Sequence, residues 1–283
     1  MVRSNRSVLI ATILAAGLTV GAQPACAQEP AYLADRGDGI RTSLLSTYIR
    51  PKEFVVYPFY EYTKTRKYEY SGSDLGFVGD TDYLGEKVEH EYLIFLGYAF
   101  NDSWMLEFES ALHSKVKFTK AANDPTQVPA EIRESGLGDT EAQLRWRYAK
   151  ETETRPEIVY SFQAVFPLQK DKVLLGTQAW ELGVGVVLTK GYSFGTLAIR
   201  GQINYDRADG KTTFGEYGID YLKKVSPDLR VALSLEGEES ELSIIGELQY
   251  ALSKDATLKV NCGFGLSQKD RAIAPEIGVL FRF

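Results

Sequence analysis

Apolar and polar residues alternate with a period of two along most of this chain. In the stretch 273–283 the odd positions are apolar or aromatic, and the even positions are small or charged apart from Leu280. Such alternation sends successive side chains to opposite faces of a strand. The same pattern predicts strands over 53–70, 88–100, 104–118, 137–149, 157–166, 179–189, 194–206, 213–224, 229–238, 241–252, 257–267 and 272–283. Alternation fails at Phe54, Val55, Val56 and Tyr57, and Pro58 follows at once, so the register of the first strand stays open.

Segments of roughly 10 residues match what a tilted strand needs to cross a bilayer. Their connections alternate in length. Those at 101–103, 190–193, 226–228 and 253–256 are tight, whereas 71–87, 119–136 and 167–178 are long. Short turns on one side and long loops on the other predict an all-β chain, an antiparallel transmembrane β-barrel of about 12 strands with both termini on the periplasmic side. A soluble β-sandwich is the alternative.

The N-terminus points the same way. Arg3 and Arg6 precede an apolar run from Val8 to Val20, and Ala25-Cys26-Ala27 ends it in a small-x-small pattern, so 1–27 reads as a signal peptide cleaved after Ala27. Cleavage takes Lys+Arg from 32 to 30 against 38 Asp+Glu, a net charge of −8, which excludes a basic nucleic-acid binder. With Cys262 alone left in the mature chain, no intramolecular disulfide forms. Two His and one Cys supply neither a zinc site nor a catalytic set, and no cofactor is expected.

A barrel wall has one face for lipid and one for the lumen. The charged positions expected to line the lumen are Glu89, Glu91, Glu107, Glu109, His113, Lys115, Lys117, Glu141, Arg145, Arg147, Glu157, Glu181, Arg200, Glu216, Asp220, Arg230, Glu247, Lys259, Glu276 and Arg282. Counting from the tight turns sets Glu89 opposite Lys115, Glu91 opposite His113, Arg147 opposite Glu157, Asp220 opposite Arg230 and Glu247 opposite Lys259. Both signs mix, which argues against a simple anion filter; a ladder of ion pairs filling a narrow barrel is the structural alternative. Phe100, Trp104, Trp146, Tyr148, Tyr192, Tyr221, Tyr250, Phe281 and Phe283 fall near the periplasmic ends, as an aromatic girdle does.

Between leader and barrel, 28–52 is too short for a domain. It reads either as a periplasmic leader or as a plug whose Arg36, Arg41 and Arg50 meet inward acids. Pro58 and Pro275 fall in the two strands that close the barrel, where neither can donate to the ladder; a lateral exit for apolar solutes and a harmless bulge are the two readings. His90 and Ser114, counted to face each other on the outside, raise a minor alternative of a lipid hydrolase, for which no orienting Asn or Asp is evident. Cys262 counts outward as a lipid-facing residue. Gly183, Gly185, Gly263 and Gly265 alternate within strands and make no phosphate loop.

The alternating last strand ending on Phe281 and Phe283 resembles the terminal strand of Gram-negative outer-membrane barrels, whose final aromatic is part of the signal read by the barrel-assembly machinery. Gly136-Leu137-Gly138-Asp139, Arg145-Trp146-Arg147-Tyr148 and Ala179-Trp180-Glu181-Leu182-Gly183-Val184-Gly185 resemble an outer-membrane transporter family named for the meta-pathway of phenol degradation. The chain departs from it after the fifth strand, with Phe166-Pro167-Leu168-Gln169 where members often read Pro-Thr-Gly. The resemblance implies a passive channel or transporter for small, aromatic or apolar solutes, in contact with outer-membrane lipids and lipopolysaccharide. The rival reading is a closed barrel with a structural or surface-interaction role.

Overall fold

The computed structural model describes residues 30–208, 210–238, 241–267 and 272–283. The leader expected over 1–27 lies outside them. A 3-10 turn at Ala31–Leu33 leads into a hairpin of β1 (Ile40–Arg41) and β2 (Tyr48–Ile49). The wall follows as β3 (Phe54–Tyr70), β4 (Tyr83–Ala99), β5 (Trp104–Thr119), β6 (Glu131–Gly136), β7 (Thr140–Ala149) and β8 (Glu157–Val165). It continues as β9 (Glu181–Tyr192), β10 (Gly195–Asp206), β11 (Lys211–Lys224), β12 (Leu229–Glu238), β13 (Glu241–Ala251), β14 (Ala256–Gly265) and β15 (Ala272–Arg282). β6 and β7 both pair with β5, one above the other, so they are the two halves of one wall strand interrupted at 137–139. β15 pairs with β3, which closes a barrel of 12 antiparallel strands.

Two boundaries differ from the sequence expectation. The second wall strand begins at Tyr83 rather than Val88, and part of the expected 119–136 loop is β6, paired with Ser114–Thr119. Both differences lengthen the same side of the barrel. β3, β4 and β5 run 17, 17 and 16 residues, against at most 14 for β9 to β15, so this side stands higher.

Around β9 to β12 the exterior is apolar. Leu182, Val184, Val186 and Leu188 on β9, Ile199 and Ile203 on β10, and Leu233 and Leu235 on β12 all stand exposed on the outer face, an arrangement suited to lipid rather than water. At the turn end the aromatic residues form a collar. Trp104 stacks on Trp146 at 5.7 Å, Trp146 meets Tyr148 at 5.4 Å, Tyr192 stacks on Phe194 at 5.1 Å, and the Phe54 and Phe283 rings lie 6.3 Å apart.

At the outer end of the tall side the long loops fold inward over the wall. Leu75, Ala121, Val128, Leu174 and Leu175 bury against Tyr70, Val116 and Phe118. Asp124 anchors this cap by accepting from the Tyr70 hydroxyl at 2.8 Å and the Thr126 amide at 2.7 Å, with Lys120 3.8 Å away. Desolvation works against its ionised form, but the hydrogen bonds from Thr126 and Tyr70 and the charge of Lys120 outweigh it and hold the carboxyl below its ordinary value.

The seam between β15 and β3 keeps one register, but its ladder is interrupted between Ile273 and Glu276, where Pro275 lies, and between Gly278 and Phe281, opposite Pro58. Closure instead draws on the strand ends, where Phe54 and Phe283 exchange backbone bonds of 3.1 and 2.9 Å, and on the Tyr57 hydroxyl donating to Glu276 across the seam. Gly278 makes this closeness possible, since a Cβ there would stand 2.5 Å from both Phe59 Cβ and Tyr57 Cε2.

Gly278→Ala should therefore lower the urea midpoint of the folded barrel, by an overpacking cost of roughly 1–3 kcal/mol; an unchanged midpoint would mean that the seam is not tight. Because Asp124 is depressed, its share of cap stability is complete above the ordinary carboxylate value of 3.8 and is lost as pH falls through the lower folded value. Hydrogen-exchange protection over 120–128 should accordingly decline only in strong acid.

Candidate functional site: the occupied lumen

Residues 39–49 lie inside the barrel, and 30–38 lie at its terminal mouth. The β1–β2 hairpin enters from the end that carries both termini, and Lys52, in a left-handed turn at φ 64, redirects the chain into the wall by donating to Ala99 O at 2.7 Å. Its foot is apolar. Ile40 and Ile49 are fully buried against inward-facing Val55, Tyr57, Phe59, Phe95, Met105, Val159 and Leu280. Gly97 leaves room for Ile49, whose Cδ1 would sit 2.4 Å from a Cβ at that position. The two breaks in sequence alternation, at Phe54–Tyr57 and at Leu280, therefore share one cause: the inner wall is apolar where the hairpin sits on it.

Further in, the contacts are ionic. Arg41 Nη2 reaches Asp220 Oδ2 at 2.6 Å, and Ser234 donates to the same carboxylate at 2.5 Å. Ser43 donates its amide and hydroxyl to Glu107 at 3.1 and 2.7 Å, while Arg145 pairs with Glu107 at 3.1 Å. Gln249 donates to Ser46 O at 3.3 Å, and Lys259 reaches Thr47 Oγ1 at 3.0 Å and Glu247 at 3.2 Å. Near the mouth Arg36 bonds Glu151 at 2.9 Å and lies 3.6 Å from Glu157, which also holds Arg147 at 3.0 Å. Tyr48 lies between the two plug arginines, with guanidinium carbons 5.1 and 5.9 Å from its ring centre. Arg50 meets no inward acid: it is exposed, and its backbone exchanges bonds with Glu53, the amide donating to the carboxylate and the carbonyl accepting from the Glu53 amide.

The hairpin divides the remaining space. On the outer side lie cavities of about 370, 250 and 190 Å³ that share Glu141 and Glu216 in their walls. Toward the termini a cavity of about 650 Å³, bounded by Arg36, Tyr48, Arg230, Gln249 and Arg282, shares no lining residue with them. The largest outer cavity is walled by Glu61, Glu109, Glu141, Glu216, Glu236, Glu247 and Glu276 against Arg41, Arg200 and Lys259. Arg200 bridges Glu216 and Glu236 and lies 3.5 Å from Asp220. Glu141 takes a bond from Gln163 and Glu61 one from Thr63 at 2.8 Å. Among the described residues no group of three or more His, Cys, Asp or Glu converges to hold a metal.

The structure places Glu89, Glu91, Glu107, Glu109, Glu141, Arg145, Arg147, Glu157 and Glu181 on the inner face. Arg200, Glu216, Asp220, Arg230, Glu247, Lys259, Glu276 and Arg282 share it. His113, Lys115 and Lys117 do not. A bulge at Leu112 inserts one extra residue between the pairs Leu93–Ala111 and Tyr92–His113, and this reverses the faces beyond it. Glu91 consequently faces Ser114, which donates to it, and Glu89 faces Val116. His90 stays outside, its Nδ1 2.7 Å from the Tyr60 hydroxyl, so the Ser114 and His90 side chains lie on opposite faces of the wall and cannot form a hydrolase pair.

Three other facing pairs are corrected. Asp220 faces Ser234 rather than Arg230, because the 225–228 turn pairs Lys224 with Arg230. Lys259 faces Gln249, and Arg147 faces Val159 beside a second bulge, yet both keep their ion pairs diagonally, with Glu247 and Glu157. Glu61 and Glu236 escaped the sequence reading. Glu236 follows the even inward positions of its strand, whereas Pro58 hid the parity that Glu61 obeys.

No family model matches this chain, and no curated protein does either. Among solved structures, the COG4313 outer membrane channel from Pseudomonas putida F1 superposes with a TM-score of 0.59 at 12% identity, over 83% of this chain and 97% of that one. The KdgM porin, solved in complex with disordered oligogalacturonate, reaches 0.49 at 11% identity, over 81% and 99%. The CymD monoaromatic hydrocarbon channel reaches 0.38 at 8% identity, over 83% and 89%. At 12% identity the first of these likenesses is one of fold alone, over the twelve-stranded closed wall described above.

Proposed function

We propose that this protein is a passive channel of the outer membrane, not an enzyme, and that its own N-terminal hairpin closes it at rest. The reading rests on one observation above the others: a hairpin that is not part of the wall occupies the lumen and separates an outer vestibule from a chamber at the terminal end. A wall serving only as a membrane anchor would need neither the seven-glutamate vestibule nor a removable filling. The apolar exterior and aromatic collar suit a bilayer, and a signal peptide over 1–27 suits export.

Solute choice follows from the wall. Acids outnumber cations in the vestibule, and of its three cations Arg41 belongs to the hairpin itself and Lys259 donates to the hairpin's Thr47. When the hairpin withdraws, the field left behind favours small cations and solutes rich in hydrogen-bond donors. The aromatic or apolar solutes implied by the family resemblance would instead have to pass the seven glutamates that line the vestibule.

In planar bilayers the mature protein should conduct rarely, and a variant lacking 30–50 should conduct steadily, with a reversal potential favouring potassium over chloride. Equal, steady conductance in both forms would remove the plug; anion preference in the shortened form would remove the solute reading. Arg41→Met leaves Asp220 buried without its closest cation, a loss of the kind that costs about 3–5 kcal/mol. The open probability should rise in that variant and fall back partly when Asp220→Asn is added, since the uncompensated charge is then gone.

A further inference from the structure

The bulge at Leu112 has an outcome on the other side of the wall. It turns His113, Lys115 and Lys117 outward, into line with the exterior positions of the neighbouring strands. Register fixes the rows. Tyr60, Tyr92 and His113 form the lowest; Tyr62, His90, Lys115 and Ser135 the next; Lys64, Val88, Lys117 and Arg133 the one above. Neighbouring strands lie about 4.8 Å apart, so Lys64 to Arg133 spans roughly 15 Å of exterior surface.

Depth follows from cost. A Lys or Arg on the lipid face costs about 2–4 kcal/mol at the bilayer midplane and about 0–1 near an interface. These rows sit directly above the apolar band ended by Ile94 and Leu112, on the side where β3 to β6 stand tallest, and the tyrosines around His90 are rings that favour an interface. At the outer ends of β9 and β10 the exterior positions are Leu182 and Tyr205 instead. Among the described strand residues, the exterior cations at this end are confined to one sector at headgroup depth.

Charge and chemistry name the occupant. Lys64, Lys115, Lys117 and Arg133 face two acids, Glu86 and Glu131, in a chain whose net charge is −6. Lys64 holds Glu86 at 3.1 Å and Lys117 holds Glu131 at 2.7 Å, while Lys115, flanked by His90 and Ser135, has no acid partner among the described residues. We propose that this sector of the exterior, centred on Lys115, Lys117 and Arg133, binds the phosphorylated headgroup of a glycolipid in the outer leaflet. The guanidinium offers a planar fork and the ammonium groups mobile point charges to phosphate oxygens, and lipid is what adjoins a wall at this depth. The proposal rests on the reading of the molecule as an outer-membrane barrel.

The test uses the folded mature protein in detergent and the variant Lys115→Gln, Lys117→Gln, Arg133→Gln, with bound lipid counted by native mass spectrometry. Both proteins are titrated with a bisphosphorylated disaccharide lipid, with the same lipid after dephosphorylation, and with inorganic phosphate. The phosphorylated lipid should bind the natural protein at least about tenfold more tightly than the variant; the dephosphorylated lipid should not discriminate, and inorganic phosphate should neither bind nor compete. Equal retention of both lipids by the natural protein, equal binding by the variant, or displacement by inorganic phosphate would each overturn the proposal. The comparison of the two lipids on the natural protein decides even if the triple variant does not fold. Heat-modifiable electrophoretic migration reports the barrel independently, so a folded barrel without lipid preference sinks this site alone.

Discussion

A backbone amide inside a bilayer has no water to bond, so a sheet that crosses lipid must close on itself or leave costly edges. Everything in this molecule follows from meeting that condition with twelve strands. Closure forces β15 onto β3 and forces each residue to take either the lipid or the lumen side. It also leaves an interior wider than side chains from the wall can fill. The hairpin of β1 and β2 occupies that surplus volume, and the charges around it are the wall's answer to having a polar visitor rather than water.

The two ends of the hairpin are held by different physics. At the foot, Ile40 and Ile49 lose water against Tyr57, Phe95, Met105 and Leu280, a non-directional attraction that tolerates sliding. At the tip, Arg41, Ser43 and Thr47 meet partners that demand particular geometry. Buried ion pairs of this sort contribute little net stability once desolvation is counted, but they penalise misplacement strongly. A segment seated in this way is well located without being permanently fixed, which is what a removable obstruction requires.

Much of this was legible in the residues. Alternation located all twelve wall strands because each face has a single solvent, and turn lengths oriented them. The bulge at Leu112 was not legible: nothing in Ala111-Leu112-His113 distinguishes an extra residue from an ordinary one, and an error of one position moved His113, Lys115 and Lys117 across the wall. The four-residue turn at 225–228 misled the pairing of Asp220 for the same reason. By contrast, the hairpin's seat was written in the sequence as a failure of pattern. Where Val55, Tyr57 and Leu280 put apolar groups on the lumen side, something other than water had to lie against them.

The foot of the hairpin also touches the far end of the chain. Arg282 donates to Tyr48 O at 3.0 Å and pairs with Glu53 at 2.9 Å, and Leu280 caps the apolar seat. Arg282 lies 234 residues from Tyr48 and 229 from Glu53 in sequence, the kind of contact that is slow to form because so much chain must be ordered first. The hairpin thus has no complete resting place until the last strand has joined the wall. A barrel truncated before its last strand lacks Leu280 and Arg282, and with them part of what pins the hairpin in place.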